Sequence, residues 1–328
     1  MKILHLAIIR VALAVLASTA ALAEPAFVAT PAVSVEIPHS SGKFDFLRID
    51  SKRQRLLAAH ENDGTADVID LRTGRVLKRV KVGGAVDTAV DSDAKFYYVS
   101  VQEAKRVAVV DAATLSEVKS ITTPGPTDAI IYDPRNRMVY VAYDNGDAVW
   151  VIDPQAAKVV ATVPIPGAPE FMVYDEKADR IYLNIKTTNS VVVIDPSSNK
   201  VIRQWPTAPA LAPHGLALDA ANHRIYASGN NGKLVAIDTA TGLTTGSADI
   251  VTKVDQIAFD PGRGLVYCAG TDKMSVVRTT ADTLTTVGEI TTAATAKNVA
   301  VDPATHAVWP TYTDGRSSFA KSWQPPQP

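Results

Sequence analysis

The amino-acid sequence predicts an all-β protein, a seven-bladed β-propeller with four antiparallel strands in each blade. Three observations support this prediction. An Asp that ends a short apolar run recurs seven times, at intervals of 41 to 44 residues. Each interval contains four apolar runs rich in Val, Ile and Tyr, and turn-forming pairs such as Asp-Pro, Asn-Gly and Thr-Gly separate them. No helical period persists through a unit, and four strands in about 42 residues is the pattern of one propeller blade.

The recurring Asp, called here the anchor aspartate, ends the first and innermost strand of each blade. The seven anchors are Asp50, Asp91, Asp133, Asp175, Asp219, Asp260 and Asp302. A second run is centred seven residues later on Leu57, Tyr98, Tyr140, Tyr182, Tyr226, Tyr267 or Trp309. A third run usually ends in a further Asp, and these residues are interpreted as turn formers: Asp70, Asp111, Asp153, Asp195 and Asp238. A fourth run, such as residues 159–163, completes the unit.

The last blade lacks its outer strand. It supplies three strands, at residues 297–301, 307–311 and about 317–322, before the sequence Gln-Pro-Pro-Gln-Pro, which cannot continue a sheet. Residues 33–38 resemble the fourth run at residues 159–164. We therefore expect the N-terminal strand to join the seventh blade and close the ring, which removes the open sheet edges.

The first residues have the pattern of a signal peptide. Lys2 and Arg10 precede a short apolar run at residues 11–23 that ends in a small-x-small cleavage pattern. Residues 1–23 are therefore predicted to be removed, which leaves residues 24–328 as one propeller domain, periplasmic or secreted. An uncleaved N-terminal anchor is the alternative. No other segment approaches about 18 apolar residues, so we expect no transmembrane segment after cleavage.

Composition excludes several classes of protein. The 33 Lys and Arg residues nearly balance 34 Asp and Glu residues, so the basic excess typical of nucleic-acid-binding proteins is missing. The single cysteine, Cys268, excludes an intrachain disulfide framework and a cysteine-based zinc site. A hydrophobic content of 46% excludes a disordered chain. Length alone would suggest two domains, but the repeat favours one ring, expected to be a monomer.

Three short motifs resemble a known family. The Tyr-Val core of the second run (Val139-Tyr140-Val141), the Val-Ile-Asp third run and the turn Thr73-Gly74-Arg75-Val76 resemble the YVTN family of bacterial seven-bladed propellers, which includes the YncE-like exported proteins. The resemblance covers almost all of residues 24–328. Its repeat motif is structural, so it implies a fold rather than an activity. The family is also similar to lactonase-type propellers and to heavy subunits of some periplasmic dehydrogenases.

Candidate site residues lie five positions before each anchor, where the innermost strands should open into one mouth of the central channel. These positions hold Asp45, Val86, Asp128, Glu170, His214, Asp255 and Lys297, and the neighbouring Asp87 takes the place of Val86. Carboxylates converging there would repel one another unless a cation or Lys297 lies among them. The prediction is a ligand site at this mouth. The alternative is that each carboxylate caps a turn between blades.

The sequence does not identify a cofactor. A divalent metal ion bound by this ring of side chains is the candidate. Carboxylate oxygens suit Ca²⁺ or Mg²⁺, and His214 would admit Zn²⁺. The segments around Glu170 and His214 also loosely resemble gluconolactonase-type propellers, where a Glu, an Asn and an Asp hold a divalent metal. The resemblance implies Glu170, His214 and Asp255 as ligands, with His214 standing where that family has Asn.

A second set lies ten residues after each anchor and includes His60, Tyr143 and Tyr312. These side chains could flank the same mouth as polar or stacking groups. The alternative is ordinary packing between blades.

No nucleophile elbow, phosphate loop, His-Glu-x-x-His or haem-attachment motif is found in the sequence. The favoured hypothesis is therefore a non-catalytic binding or scaffold protein that takes a small ligand or a protein partner at the channel mouth. The alternatives are a metal-dependent hydrolase of the lactonase type and a partner subunit of a periplasmic redox enzyme. Single-stranded nucleic-acid binding is the least favoured, since aromatic residues are few and no basic excess exists.

Overall fold

The computed structural model describes residues 27–281 and 283–326. The predicted signal peptide and the predicted mature start at Glu24 lie outside these residues. Within them the chain forms seven antiparallel sheets arranged as the blades of one ring, which confirms the predicted seven-bladed propeller. In each of the first six blades the four strands follow one another in chain order, so the first strand lines the channel and the fourth lies outermost.

The strand bounds follow the predicted runs closely. The N-terminal strand is β1 (Thr30–Ile37). Blade 1 contains β2 (Leu47–Asp50), β3 (Arg55–His60), β4 (Thr65–Asp70) and β5 (Arg75–Lys81). Blade 2 contains β6 (Ala85–Val90), β7 (Phe96–Val101), β8 (Arg106–Asp111) and β9 (Ser116–Thr122). Blade 3 contains β10 (Thr127–Asp133), β11 (Met138–Tyr143), β12 (Ala148–Asp153) and β13 (Lys158–Pro164).

The remaining blades repeat this arrangement. Blade 4 contains β14 (Pro169–Asp175), β15 (Arg180–Ile185), a 3₁₀ turn (Lys186–Thr188), β16 (Ser190–Asp195) and β17 (Lys200–Pro206). Blade 5 contains β18 (Pro213–Asp219), β19 (Arg224–Gly229), β20 (Lys233–Asp238) and β21 (Thr244–Asp249). Blade 6 contains β22 (Gln256–Asp260), β23 (Leu265–Ala269), β24 (Lys273–Thr279) and β25 (Leu284–Thr291). Blade 7 contains β26 (Ala300–Val301), β27 (Val308–Trp309), β28 (Thr311–Thr313) and β29 (Ser318–Gln324).

The N-terminal strand closes the ring as predicted. Strand β1 pairs antiparallel with β29, so Val35 lies opposite Ala320, and the sheet order of blade 7 is β1, β29, β27, β26. Both Val35 and Ile37 are buried in a cluster that also contains residues of blade 1. Closure therefore rests on backbone pairing and on apolar burial across the junction between blades 7 and 1.

The inner part of blade 7 is less regular than predicted. Its inner strand spans only Ala300–Val301, and its second strand is interrupted between β27 and β28. Pro310 lies at the interruption and has no N–H to donate to a ladder. Before β26, the Asn298 side-chain oxygen accepts hydrogen bonds from the backbone N–H and the hydroxyl of Thr311, at 2.9 Å each. This side-chain contact takes the place of ladder bonds.

Side-chain hydrogen bonds close the turns between strands. Asp175, an anchor, accepts hydrogen bonds from the backbone N–H groups of Lys177 and Ala178 at 3.0 Å each. Asp111, at the end of a third strand, accepts from Ala113 at 3.0 Å and from Thr114 at 2.7 Å. The predicted turn-forming role of Asp111 is confirmed, and the anchor Asp175 accepts the same kind of bonds.

The core lies between neighbouring blades. Large side chains of the second strands fill it, and the tyrosines of blades 3 to 6 are almost completely buried: Tyr140, Tyr182, Tyr226 and Tyr267. All four tryptophans lie in strands and are at most 8% exposed. Cys268 is buried as well. No helix among the described residues has the length and apolar character needed to cross a membrane.

Candidate binding site at the channel mouth

The inner strands give the channel two chemically different ends. Each inner strand starts at one end and finishes at its anchor aspartate at the other, because every blade repeats the same connection. The end at the strand starts is called here the acidic mouth, and carboxylates of several blades lie there: Asp45, Asp128, Asp144, Glu170 and Asp255. The opposite end is called the anchor mouth.

β-Bulges position three of the predicted site residues. The register between β10 and β11 shifts by one residue between Thr127 and Ile130, which places Asp128 in the bulge. The same shift occurs in blade 4 at Glu170 and in blade 5 at His214. A bulge leaves its extra residue outside the regular ladder and re-aims the side chain. The repeat therefore determines where each of these residues lies in its blade, and the bulge changes the direction of its side chain.

Glu170 lies between two basic side chains. Lys186 donates from its Nζ to the Oε1 of Glu170 at 2.6 Å, and the Nε2 of His214 lies 3.7 Å from the same oxygen. The Nδ1 of His214 lies 2.8 Å from the carbonyl oxygen of Ala212, which can only accept, so Nδ1 carries the proton. Burial raises the pKa of Glu170, although His214 and Lys186 oppose that shift. Glu170 is therefore already paired within the protein.

Asp128 is a carboxylate of a different kind. Its residue is only 8% exposed, yet no hydrogen-bond donor among the described residues reaches its carboxylate. Burial and the neighbouring Glu170 raise its pKa well above the ordinary value, and Asp45, Asp144 and Asp87 add to this shift. The Asp128 oxygens are not among the fully enclosed unpaired atoms of the described residues, so this carboxylate opens to the mouth in a largely buried residue, where a cationic ligand would be favoured.

Asp45 and Asp255 extend the acidic mouth toward blades 1 and 6. Both residues are half-buried. Burial and the charge of Asp255 raise the pKa of Asp45 well above its ordinary value, and Lys43, whose Nζ lies 3.8 Å from Asp45, opposes the shift. Lys297, the cation expected among the carboxylates, makes no ion pair with any described residue. Lys186 and Lys43 supply the positive charge instead.

Asp87 has a structural role rather than a place at the rim. It is completely buried, and Arg48 binds it through two hydrogen bonds of 3.0 and 2.7 Å. Its carboxylate also accepts from the backbone N–H groups of Thr88 at 2.7 Å and Ile130 at 3.1 Å. These contacts agree with the capping alternative. Asp87 links blades 1, 2 and 3, and its carboxylate is occupied by hydrogen bonds within the protein.

The residues ten positions after the anchors pack inside the blades. His60 is fully buried, with its ring nitrogens 2.8 Å from Asp67 and 3.1 Å from the carbonyl oxygen of Gly42. Tyr143 stacks on Trp150 with ring centroids 5.0 Å apart. The geometry favours the packing alternative for this set.

Sequence reasoning missed the residues one position further on. The eleventh residue after the anchor is Glu61 in blade 1, Asp144 in blade 3, Lys186 in blade 4 and Asn230 in blade 5. All four interact with predicted residues of the mouth, Glu61 through its charge on Asp45 and the others through Asp128, Glu170 and His214. Each of the four is the first residue after its second strand, so a search of the turns that follow β3, β11, β15 and β19 would have found this set.

A metal ion at Glu170, His214 and Asp255 stays a prediction. Among residues 27–281 and 283–326, no group of three or more His, Cys, Asp and Glu side chains is arranged to hold a metal ion. Lys186 already contacts the Glu170 oxygen that lies nearest to His214. The described side chains therefore do not fit a divalent ion as they stand.

A family model for YNCE-like β-propellers matches residues 39–224, more than half of the sequence. The chain belongs to this family. The predicted resemblance to the YncE-like proteins is thereby confirmed. A search of curated proteins finds no match.

Solved structures of varied propellers resemble this YNCE-like chain. A chain of Kuenenia stuttgartiensis hydrazine synthase is 17% identical, with a TM-score of 0.73 over 87% of this chain and 98% of that one. A chain of the mitotic checkpoint complex is 13% identical, with a TM-score of 0.78 over 98% and 99%. U3-55K is 9% identical, with a TM-score of 0.75 over 88% and 98%. At such identities the likeness shows the fold alone.

The acidic mouth of the YNCE-like propeller thus has two halves. Glu170, Lys186 and His214 form an internally paired half, and Asp128 with Asp45 and Asp255 forms a half in which Lys43, 3.8 Å from Asp45, is the nearest basic partner and Asp128 has no donor among the described residues. Such an arrangement can hold a positively charged group in the second half while the first half remains unchanged.

Proposed function

We propose that this protein is a non-catalytic binding protein whose acidic mouth takes a small organic cation with a primary ammonium group. The observation that supports this proposal is the buried carboxylate of Asp128, which no described donor reaches. An ammonium group carries three N–H donors and one positive charge. It would therefore supply what Asp128 lacks and would also lower the repulsion among Asp128, Asp45 and Asp255.

Binding of a cation at this mouth should release a proton. The raised pKa of Asp128 means that the free protein retains a proton on this carboxyl at pH values where an ordinary Asp has lost it. A cation favours the ionised form and displaces that proton. Affinity should therefore increase with pH until Asp128 is ionised in the free protein, which a neutral or purely apolar ligand would not show.

The protein is proposed to act outside the cytoplasm, in the periplasm or as a secreted protein. The apolar run at residues 11–23 and its cleavage pattern support this proposal. N-terminal sequencing of the protein recovered from fractionated cells tests it. A start at Glu24 in the exported fraction supports export, and an intact N terminus in the cytoplasm contradicts it.

The binding proposal is tested by calorimetry on the purified protein with 1,4-diaminobutane, using 1,4-butanediol as the neutral probe of the same length. The diamine should bind and the diol should not. Asp128→Asn should abolish diamine binding. Asp272→Asn, which removes an exposed carboxylate from another blade, is the matched control and should bind normally.

Other outcomes would overturn the proposal. Equal binding of diamine and diol, or full diamine binding by Asp128→Asn, would exclude the ammonium site. Stoichiometric Zn²⁺ or Ca²⁺ that is lost in Glu170→Gln and Asp255→Asn would favour the lactonase-type hydrolase instead. Copurification of a haem- or quinone-containing protein would favour the redox-partner alternative.

A further inference from the structure

The anchor mouth contains a cavity that the acidic mouth does not share. Its volume is about 630 Å³, and its walls are mainly apolar: Ile49, Val90, Ile130, Tyr132, Val173 and Leu218. A second cavity of about 220 Å³ lies on the other side of Arg48 and shares Ile49, Val173 and Leu218 with the first. The larger volume is in the range of small-molecule sites, which are typically apolar with a few fixed polar groups.

Arg48 is one such fixed polar group. It lies two residues before the anchor of blade 1, where the other six blades have only apolar residues: Ala89, Ile131, Val173, Ala217, Ala258 and Ala300. The Nε and Nη2 atoms of Arg48 bind Asp87, and its guanidinium carbon lies 4.1 Å from the ring centre of Phe171. These contacts hold the guanidinium in one plane. No described residue accepts a hydrogen bond from its Nη1.

Thr88 is the second polar group. The residue is 1% exposed, lines the larger cavity together with Arg48, and its hydroxyl has no hydrogen-bond partner among the described residues. A buried hydroxyl without a partner destabilises the protein, so a ligand acceptor at this place would be favoured.

We propose that the anchor mouth is a second binding site, which takes an apolar monocarboxylate. The carboxylate accepts hydrogen bonds from Nη1 of Arg48 and from the hydroxyl of Thr88, and the hydrocarbon part packs against Ile130, Val173 and Leu218. A carboxylate is the acceptor that a guanidinium binds most strongly. Glu176, the acidic residue of this lining, is exposed, whereas Arg48 is half-buried and Thr88 is buried. The site does not depend on the function proposed for the acidic mouth.

Calorimetric titration of the full-length purified protein with octanoate tests the proposal, with octanamide as the uncharged probe of the same length. Octanoate should bind at least tenfold more tightly than octanamide. Thr88→Val keeps the shape of the side chain, removes only the hydroxyl, and should weaken octanoate binding about fivefold. Val173→Trp should abolish binding, because the half-buried Val173 side chain borders both cavities.

Arg48→Lys retains the charge beside Asp87 but removes the planar donors, and it should weaken octanoate binding at least tenfold. If this variant fails to fold, Thr88→Val and Val173→Trp still decide the question. Asp128→Asn should leave octanoate binding unchanged, so failure at one mouth is distinguishable from failure at the other. Equal binding of octanoate and octanamide, no octanoate binding, or full binding by Val173→Trp would overturn the proposal.

Discussion

The two mouths of the channel are built from the same seven strands but differ in every chemical respect. The acidic mouth lies at the strand starts, where bulges in blades 3, 4 and 5 turn Asp128, Glu170 and His214 out of the ladder. The anchor mouth lies where pairing is regular, and its cavity has mainly apolar walls with Arg48 and Thr88 among its few polar residues. The propeller repeat determines where the strands and turns lie. A one-residue shift in strand pairing at the start of an inner strand changes which side chain faces the channel, and therefore what the channel can bind.

Two aromatic side chains from different blades meet at positions between the two mouths. Phe46 and Phe171 come from blades 1 and 4, are each 3% exposed, and meet edge to face with ring centroids 4.8 Å apart. Arg48 packs on the side of Phe171 that faces the anchor mouth cavities. In the chain, Phe46 follows Asp45 of the acidic mouth and precedes Arg48, and Phe171 lies between Glu170 and Val173.

The largest expected effect concerns the ion pair below the anchor mouth. Arg48→Met leaves the fully buried Asp87 without its cation and should destabilise the protein by about 3 kcal/mol in urea unfolding. The double variant Arg48→Met with Asp87→Asn should recover much of this loss. Arg72→Met breaks a 3.3 Å pair whose arginine is exposed, and Asp70 keeps its backbone hydrogen bonds from Arg72 and Thr73, so the change should cost less than about 0.5 kcal/mol. A single-variant cost equal to that of the Arg72 control would contradict a structural role for Asp87.

The next effect concerns the paired half of the acidic mouth. Lys186→Met removes the 2.6 Å partner of Glu170 and should reduce the free energy of unfolding by about 1–2 kcal/mol at neutral pH. The loss is smaller than for Asp87, because Glu170 is less completely buried and keeps His214 3.7 Å away when Lys186 is gone. The measurement is urea unfolding at several pH values, and the loss should shrink as the pH falls. Lys297→Met is the control, since Lys297 has no ion pair among the described residues; an equal loss would contradict the assignment.

A smaller effect distinguishes the unpaired half. Asp128 has a raised pKa in the folded protein, so the folded state retains a proton that the unfolded chain has lost. Stability should therefore fall as the pH rises from the ordinary Asp pKa through the raised one. Asp128→Asn removes this dependence and should be more stable than the wild type by about 1 kcal/mol above that window and nearly equal to it in acid. Asp45, Asp87, Asp144, Glu170 and Lys186 are the charged groups around it. If the free energies of unfolding of the two proteins change with pH in the same way, Asp128 is not the group that causes this pH dependence.

The smallest effect is expected at Tyr143. Its ring packs on Trp150, and its hydroxyl has no partner among the described residues. Tyr143→Phe should change the free energy of unfolding by less than about 0.5 kcal/mol and leave 1,4-diaminobutane affinity unaltered. A several-fold change in that affinity would place Tyr143 at the acidic mouth after all.

Sequence alone predicted the architecture and most residues of the acidic mouth, but not which of their side chains pair with one another. The anchor spacing and the resemblance of residues 33–38 to a fourth strand were sufficient for seven blades and ring closure, because both are periodic. The bulge at Asp128 was not predictable, since a bulge changes pairing without changing the repeat length. Lys186 was missed because it lies in the 3₁₀ turn after β15, one residue beyond the end of the strand. Arg48 breaks an otherwise apolar position, and this departure is visible in the sequence once the blades are aligned.

The pairing of β1 with β29 has a kinetic consequence. The hydroxyl of Ser317 and the carboxylate of Glu36 meet across this junction although they are 281 positions apart in the chain. Contacts of such separation form slowly, because the entropy of closing a long loop must be overcome before any stabilising contact is made. Blades 1 to 6 can each fold from local hairpins, whereas blade 7 forms only after both ends of the chain have come together. Until that last step an exposed strand edge remains available to other chains, so concentration during refolding should decide between a closed ring and aggregation.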